Sequence, residues 1–185
     1  QAFGYRTINS DALGWIIASA SGREYTDLLS EKIWQRIGAE QDSYVNVDGI
    51  GTAFAGGGLS AGLRDLGRIG QMMLNDGMLN GERIVPKSVV ASIRGGASQS
   101  AFAKAGYATL KGASYRSMWW VLHNAHGAFA ARGVHGQTIY VDPTAEMVIV
   151  RFASYPLASN AHVDPTSLPA FQAVAEYLMA RPDAN

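Results

Sequence analysis

The chain contains no cysteine, which excludes disulfides, a thiolate nucleophile and cysteine-ligated zinc, and leaves the redox compartment undecided. Charge is sparse: Asp, Glu, Lys and Arg together make up 16% of 185 residues, and the two signs balance at 15 each. No basic run occurs, so nothing in the sequence attracts a nucleic acid or an anionic membrane surface. No apolar run approaches the length of a membrane span, and no charged-then-apolar leader stands at the start. Nucleophile and phosphate motifs are missing too. No serine sits in a Gly-x-Ser-x-Gly elbow. The residues three before Lys32, Lys87, Lys104 and Lys111 are Leu29, Ile84, Ala101 and Ala108, so no Ser-x-x-Lys pair is present. Gly56-Gly57-Gly58 precedes a helical stretch, but without Gly-x-Gly-x-x-Gly spacing or a following Lys-Ser/Thr it is no phosphate cradle.

What is present is a core-forming pattern. Hydrophobic residues reach 48%, enough for one domain with a substantial interior. Asn9 is a candidate N-cap for a helix carrying Leu13, Ile16, Ile17 and Ala20 on one face, stopped by Ser21-Gly22. A second helix is predicted over 24–37, with Leu29, Ile33 and Ile37 as its stripe, and Trp15 and Trp34 are expected to pack between the two. Ser60 can cap a helix over 61–75, where Leu63, Leu66, Ile69 and Met73 form the stripe. In that helix Gly67 and Gly70 permit close approach, and Arg64, Asp65 and Arg68 form a solvated or ion-paired face. Pro86 begins a short helix to Ile93. Residues 95–112 read as a long surface loop, and a final helix is expected over 169–180.

Between them lies a predicted antiparallel meander of four strands: 115–123 with the Trp119-Trp120 pair covering both faces, 128–131, the stretch through Gly133–Val141, and 147–152. Asp142-Pro143-Thr144-Ala145 is a good turn, and the apolar return strand is expected to be covered on both faces. Gly133-Val134-His135-Gly136-Gln137 places two glycines around a histidine inside a strand pattern. Glycine there marks either a close approach of ligand or backbone, hence a site wall, or a β-bulge holding a structural histidine. His123 and His126 have metal-ligand spacing but no third ligand near them, so no metal is assigned, and no cofactor is implied.

The order of motifs carries more than any one of them. It runs Phe3-Gly4-Tyr5, Leu13-Gly14-Trp15, Gly57-Gly58-Leu59-Ser60, Arg64-Asp65-Leu66, Gly70-Gln71-Met72-Met73, Gly81–Pro86, Trp119-Trp120, His135-Gly136-Gln137 and Val141-Asp142-Pro143. This series resembles the C-terminal half of the serine β-lactamase/penicillin-binding-protein superfamily, and within it the 6-aminohexanoate-dimer hydrolases and class C-like esterases. The resemblance runs from Phe3 to about Phe152. It implies an α/β fold of the α+β type, an antiparallel sheet flanked by helices, β-lactamase/transpeptidase-like, with residues 1–185 forming the C-terminal part of one catalytic domain. The Ser-x-x-Lys nucleophile helix is then expected upstream of Gln1.

By the same resemblance Tyr5 matches the catalytic tyrosine, and the backbone N–H of Val134 matches half of an oxyanion hole. Gly56, His135, Gly136 and Gln137 fall on substrate-binding positions. Some departures stand out: His135-Gly136 replaces Lys-Thr-Gly, which weakens a carboxylate anchor for β-lactams. Gly56 removes a substrate-contacting side chain, and Thr7 stands where many members carry Asn. The expected function is an acyl-transferring serine hydrolase of small amide or ester substrates, with a carboxylesterase or a non-catalytic ligand-binding module as alternatives. A lone half would leave apolar surface open, so the missing N-terminal segment or a homodimer is the expected partner.

Overall fold

A computed structural model describes residues 2–181. Helix α1 (Thr7–Ser21) begins ahead of the expected cap: extended Arg6 precedes it, and Asn9 lies within its first turn. Gly22 closes it at φ 65°, the left-handed stop that Ser21-Gly22 predicts. Its apolar face, expected as core scaffolding, is on the surface. Ile8, Leu13, Ile16 and Ile17 are exposed, and Trp15 is 52% exposed rather than packed between helices. The helix touches the rest of the chain along its thin edge, where Gly14 lets the Ala55 methyl approach; a Cβ at Gly14 would lie 2.8 Å from it. Trp34 alone enters the core, its indole N–H donating to the Gln41 carbonyl at 2.9 Å.

The predicted helix over 24–37 is α-helical only as α2 (Tyr25–Leu29), then widens to a π-helical turn at Ser30–Trp34. Strand β1 (Tyr44–Val45) pairs with β2 (Leu59–Ser60), so Ser60 is held in a ladder and does not cap the helix that follows. That helix, α3 (Leu63–Leu74), starts after Gly62. Leu63 is exposed while Met72 and Met73 are buried. Asp65, expected on the solvated face, is buried. It accepts from the Glu40 N–H at 2.8 Å and the Gln41 N–H at 3.3 Å and pairs with Arg68 at 3.1 Å. Its carboxylate thereby holds the chain segment before β1 against α3.

A two-stranded hairpin, β3 (Met78–Leu79) with β4 (Glu82–Arg83), leads to α4 (Lys87–Gly95). The stretch expected to be all loop contains a further short helix, α5 (Gln99–Ala103), whose cap Ser98 accepts from the Ala101 N–H at 3.1 Å. Phe102 of α5 is buried in an aromatic cluster, which is why this Gly/Ala/Ser-rich segment is ordered into a turn of helix.

The meander has five strands: β5 (Ser114–Arg116), β6 (Trp119–Val121), β7 (Phe129–Arg132), β8 (Thr138–Asp142) and β9 (Met147–Arg151), each antiparallel to the next. The extra strand arises because Ser117 and Met118 adopt φ 47° and 68°. Two left-handed residues make a tight hairpin turn and fold the expected long strand back so that Tyr115 faces Trp120. The sheet is covered on both sides. Trp119, Val121, Phe129, Ile139, Val141 and Val148 form one core with α3 and α4 residues. On the opposite face Ala130, Tyr140 and Met147 pack on Phe171 and Ala175 of α6 (Asp164–Met179). That helix begins ahead of the expected Pro169, which lies in its interior. No helix of the described residues is long and apolar enough to cross a membrane.

Candidate active site

Tyr5 is positioned by its neighbour Phe3. The Phe3 N–H donates to the Ala101 carbonyl at 2.9 Å, and its ring lies 5.2 Å from Phe102 and 5.3 Å from Tyr115. This pins the chain start to α5 and β5. Tyr5 then lays its ring on Trp120 (5.8 Å between centroids, 23° between planes) and edge-on to Tyr115 (5.7 Å, 82°). Burial pushes the Tyr115 phenol up to about 12, with Tyr5 and Tyr107 adding to the effect. Tyr107 is raised too, by burial first. Tyr5 itself is 43% exposed, the most exposed of these three phenols, while Tyr107 and Tyr115 are half-buried.

Gly56 lies beside the first turn of α1, just past Tyr5. Its N–H donates to the Asp11 carboxylate at 2.8 Å, and a Cβ there would come within 2.5 Å of Thr7 Cγ2. The position has no room for a side chain while Thr7 occupies it.

Residues 133–137 are not a continuous strand. β7 ends at Arg132, a single 3-10 turn spans Val134–Gly136, and β8 resumes at Thr138. The Gly133 N–H donates to the Gln137 carbonyl at 2.9 Å, closing the turn. His135 sits at φ 57°, a left-handed conformation uncommon for a side-chain-bearing residue. It is held there by three bonds: its N–H to the Ala158 carbonyl at 3.1 Å, its carbonyl from the Tyr155 N–H at 3.2 Å, and Nδ1 to the Tyr155 carbonyl at 2.7 Å. The last contact requires a proton on Nδ1 and leaves Nε2 as the free ring nitrogen. Gly136 is buried against Tyr155, and its carbonyl accepts from Arg151 Nε at 3.0 Å. The Gln137 amide pairs with both ends of Ala153, Nε2 to its carbonyl and Oε1 from its N–H at 3.1 Å. Val134 is different. The residue is 60% exposed, and its N–H bonds to no acceptor among the described residues.

Trp120 lies against both Tyr5 and the side chain of Arg132, the residue before Gly133. Tyr5 stacks on the indole, and the Arg132 guanidinium lies 5.5 Å from the same ring, at the strand end that runs into Gly133-Val134. Arg132 is buried and paired with Asp164, which also accepts from Thr109 Oγ1 at 2.6 Å. Burial draws the Arg132 guanidinium below its ordinary value, against the opposing pull of Asp164. Arg132, Arg151, Tyr155 and Asn160, all close around the turn, carried no motif in the sequence. Only the charged end of the apolar β9 strand at Arg151 hinted at one of them.

The other histidines serve elsewhere. Buried Ser114 Oγ lies 2.8 Å from His123 Nε2 and accepts from the Ala97 N–H at 3.0 Å, a latch with an inaccessible hydroxyl. His126 Nδ1 lies 2.8 Å from the buried Asp142 carboxylate, whose second oxygen caps the 142–145 turn through Thr144 and Ala145. Among the described residues no group of three metal-binding side chains is placed to hold an ion.

The Beta-lactamase family profile matches residues 1–167. The chain is 36% identical over 161 residues to the 6-aminohexanoate-dimer hydrolase of Paenarthrobacter ureafaciens, covering 86% of this chain and 41% of that protein. A Bacillus anthracis structure provisionally described as a 6-aminohexanoate-dimer hydrolase superposes with a TM-score of 0.86 at 34% identity, over 99% of this chain and 46% of that one. A β-lactamase structure from Mycobacterium bovis shares the fold at 19% identity, with a TM-score of 0.69 over 96% of this chain and 65% of the other. The chain thus spans less than half the length of the curated relative it matches.

Proposed function

The chain belongs to the Beta-lactamase family, and from that premise we propose that it is the C-terminal part of a serine hydrolase that cleaves amide or ester bonds through an acyl-serine intermediate. The nucleophilic serine and its lysine would come from residues outside this chain. Its hydroxyl attacks the substrate carbonyl, the carbonyl oxygen takes the negative charge, and the Val134 N–H together with the nucleophile's own N–H stabilises that oxyanion. Tyr5, beside the lysine, relays the hydroxyl proton to the leaving group; an unperturbed phenol near 10 is a poor base at neutral pH, so a cationic neighbour is part of the proposal. The exposed apolar face of α1 (Ile8, Leu13, Ile16, Ile17) is assigned to contact with the rest of that catalytic domain.

The supporting observation is that the exposed Tyr5 stacks on Trp120, that the same indole lies under the Arg132 guanidinium, and that two residues after Arg132 the Val134 N–H bonds to no acceptor among the described residues. Val134 opens the 3-10 turn, and the first N–H groups of a helical turn have no partner within it, so this donor is available to a developing oxyanion. A carboxylesterase without amidase activity is the second reading. It is favoured by Gly56, where a side chain that could hold an amide substrate has no space beside Thr7.

In the complete protein Tyr5→Phe is expected to slow acylation about 10²- to 10⁴-fold with an unchanged circular dichroism spectrum. Near-normal turnover of a p-nitrophenyl ester by that variant would remove Tyr5 from the mechanism. Absence of a Ser-x-x-Lys pair in the complete sequence would point instead to a non-catalytic module. A panel of esters, linear amides and a chromogenic cephalosporin separates the substrate classes.

A further inference from the structure

Resting on the hydrolase reading above, we infer that Asn160 is a positioning residue that aims and polarises the oxyanion donor. Asn160 Nδ2 donates to the Gly133 carbonyl at 2.9 Å. That carbonyl and the Val134 N–H are the two ends of one peptide unit. The unit is planar and trans, so a group that holds the oxygen on one side fixes the N–H on the other. A hydrogen bond to the amide oxygen also draws charge through the peptide and makes its N–H a stronger donor.

The neighbouring contacts leave this peptide little other freedom. On one side the Gly133 N–H is bonded to the Gln137 carbonyl at 2.9 Å, and on the other the His135 N–H is bonded to Ala158 at 3.1 Å. Two residues close together on one loop, Ala158 and Asn160, therefore grip the turn on both sides of Val134 and leave only its N–H free. The Asn160 amide has a single chemically possible orientation, because a carbonyl accepts only from the NH2 end. Its other atom, Oδ1, is buried without a partner among the described residues. A buried polar atom left unpaired in this way calls for an explanation, and the hold on Gly133 supplies it: the side chain is placed for its donor at the expense of its acceptor. Asn160 touches neither substrate nor reacting atoms in this scheme; it acts through Val134.

The test uses the complete protein, selectively labelled with 15N-valine, and compares parent, Asn160→Asp and Asn160→Ala. Aspartate keeps the size but offers no donor and sets a negative oxygen against the Gly133 carbonyl. Both variants are expected to move the Val134 amide resonance and to lower kcat for a p-nitrophenyl ester roughly 10- to 100-fold, the range for a misaimed rather than deleted donor. KM should change little, and the affinity of a phenylboronic acid, which mimics the tetrahedral intermediate on a serine, should fall by the same factor as kcat. A merely structural role would lower Tm and leave kcat, measured well below that temperature, and boronate affinity at parental values. An unmoved Val134 resonance, or a moved resonance with parental kcat in an active enzyme, overturns the inference while Tyr5→Phe continues to report on the hydrolase reading. If the parent hydrolyses none of the panel, that reading fails and this one fails with it.

Discussion

Gly136 and His135 show how one residue of difference decides the shape of the site. His135 tolerates the left-handed region because three hydrogen bonds to the loop at 155–158 hold it there. Gly136, at φ 97°, cannot be exchanged in the same way: a Cβ would sit 2.4 Å from Tyr155 Cδ2 and 2.9 Å from the Ala153 Cβ. These are rigid neighbours, one an aromatic ring and the other a methyl on the backbone that Gln137 grips. Gly136→Ala is therefore expected to destabilise by about 1–3 kcal/mol from overpacking, with a further penalty for the backbone conformation. Urea unfolding measures this directly, and a midpoint equal to the parent's would show that the loop at 153–155 yields freely.

Helix α3 makes the corresponding point for a whole element. Two glycines three apart look equivalent on a helical wheel, yet only one faces the sheet. A Cβ at Gly70 would come within 2.4 Å of Val148 Cγ1 and 3.0 Å of Ile139 Cγ2, whereas Gly67 has nothing within 4 Å. Alanine at Gly67 should stabilise by about 0.5–1 kcal/mol through helix propensity alone. Alanine at Gly70 gains the same propensity but forces α3 off β8 and β9, and a net loss of up to about 2.5 kcal/mol is expected after overpacking of about 1–3 kcal/mol is set against it. Trimming the obstruction with Val148→Ala should recover part of the loss. Chemical denaturation of the two single variants and the double variant tests the assignment, and identical effects at Gly67 and Gly70 would refute the packing of α3 described above.

Across the molecule, the buried phenol of Tyr140 and the half-buried one of Tyr115, both on the α6 side of the sheet, couple stability to alkaline pH. Burial pushes Tyr115 and Tyr140 up to about 12, against about 10 in an unfolded chain. A folded-state pKa above the unfolded one means that the unfolded chain gives up its proton first. The contribution of each phenol is fully present below pH 10 and is lost as pH rises from about 10 to 12. Unfolding should therefore become progressively easier across that window, with the tyrosinate absorbance of these two residues appearing together with the loss of near-ultraviolet circular dichroism. A titration that ionises every tyrosine near pH 10 with the fold intact would contradict the packing of this face.

Periodic and local signals determined much of this protein from sequence alone. Three of the four stripe residues on α3, Leu66, Ile69 and Met73, found the core while Leu63 did not, Gly22 closed α1, and the 142–145 turn formed as its Asp-Pro start predicts. Trp119 and Trp120 do cover opposite faces, and the ordered motifs identified the family. These features depend on residues a few positions apart, whose geometry follows from backbone periodicity. Burial and long-range hydrogen bonding were decided only by the tertiary structure. The apolar stripe on α1 has the pattern of a core helix, but among the described residues no partner buries it, since periodicity says which side chains share a face and not what lies opposite. Asp65 reads as surface charge until two backbone N–H groups from the segment before β1 enclose it. Most of the site belongs to this second kind. Asn160 reaches Gly133 across 27 residues, a contact that exists because α6 and the sheet bring β9's trailing loop back over the β7–β8 turn, and no spacing in the sequence encodes it.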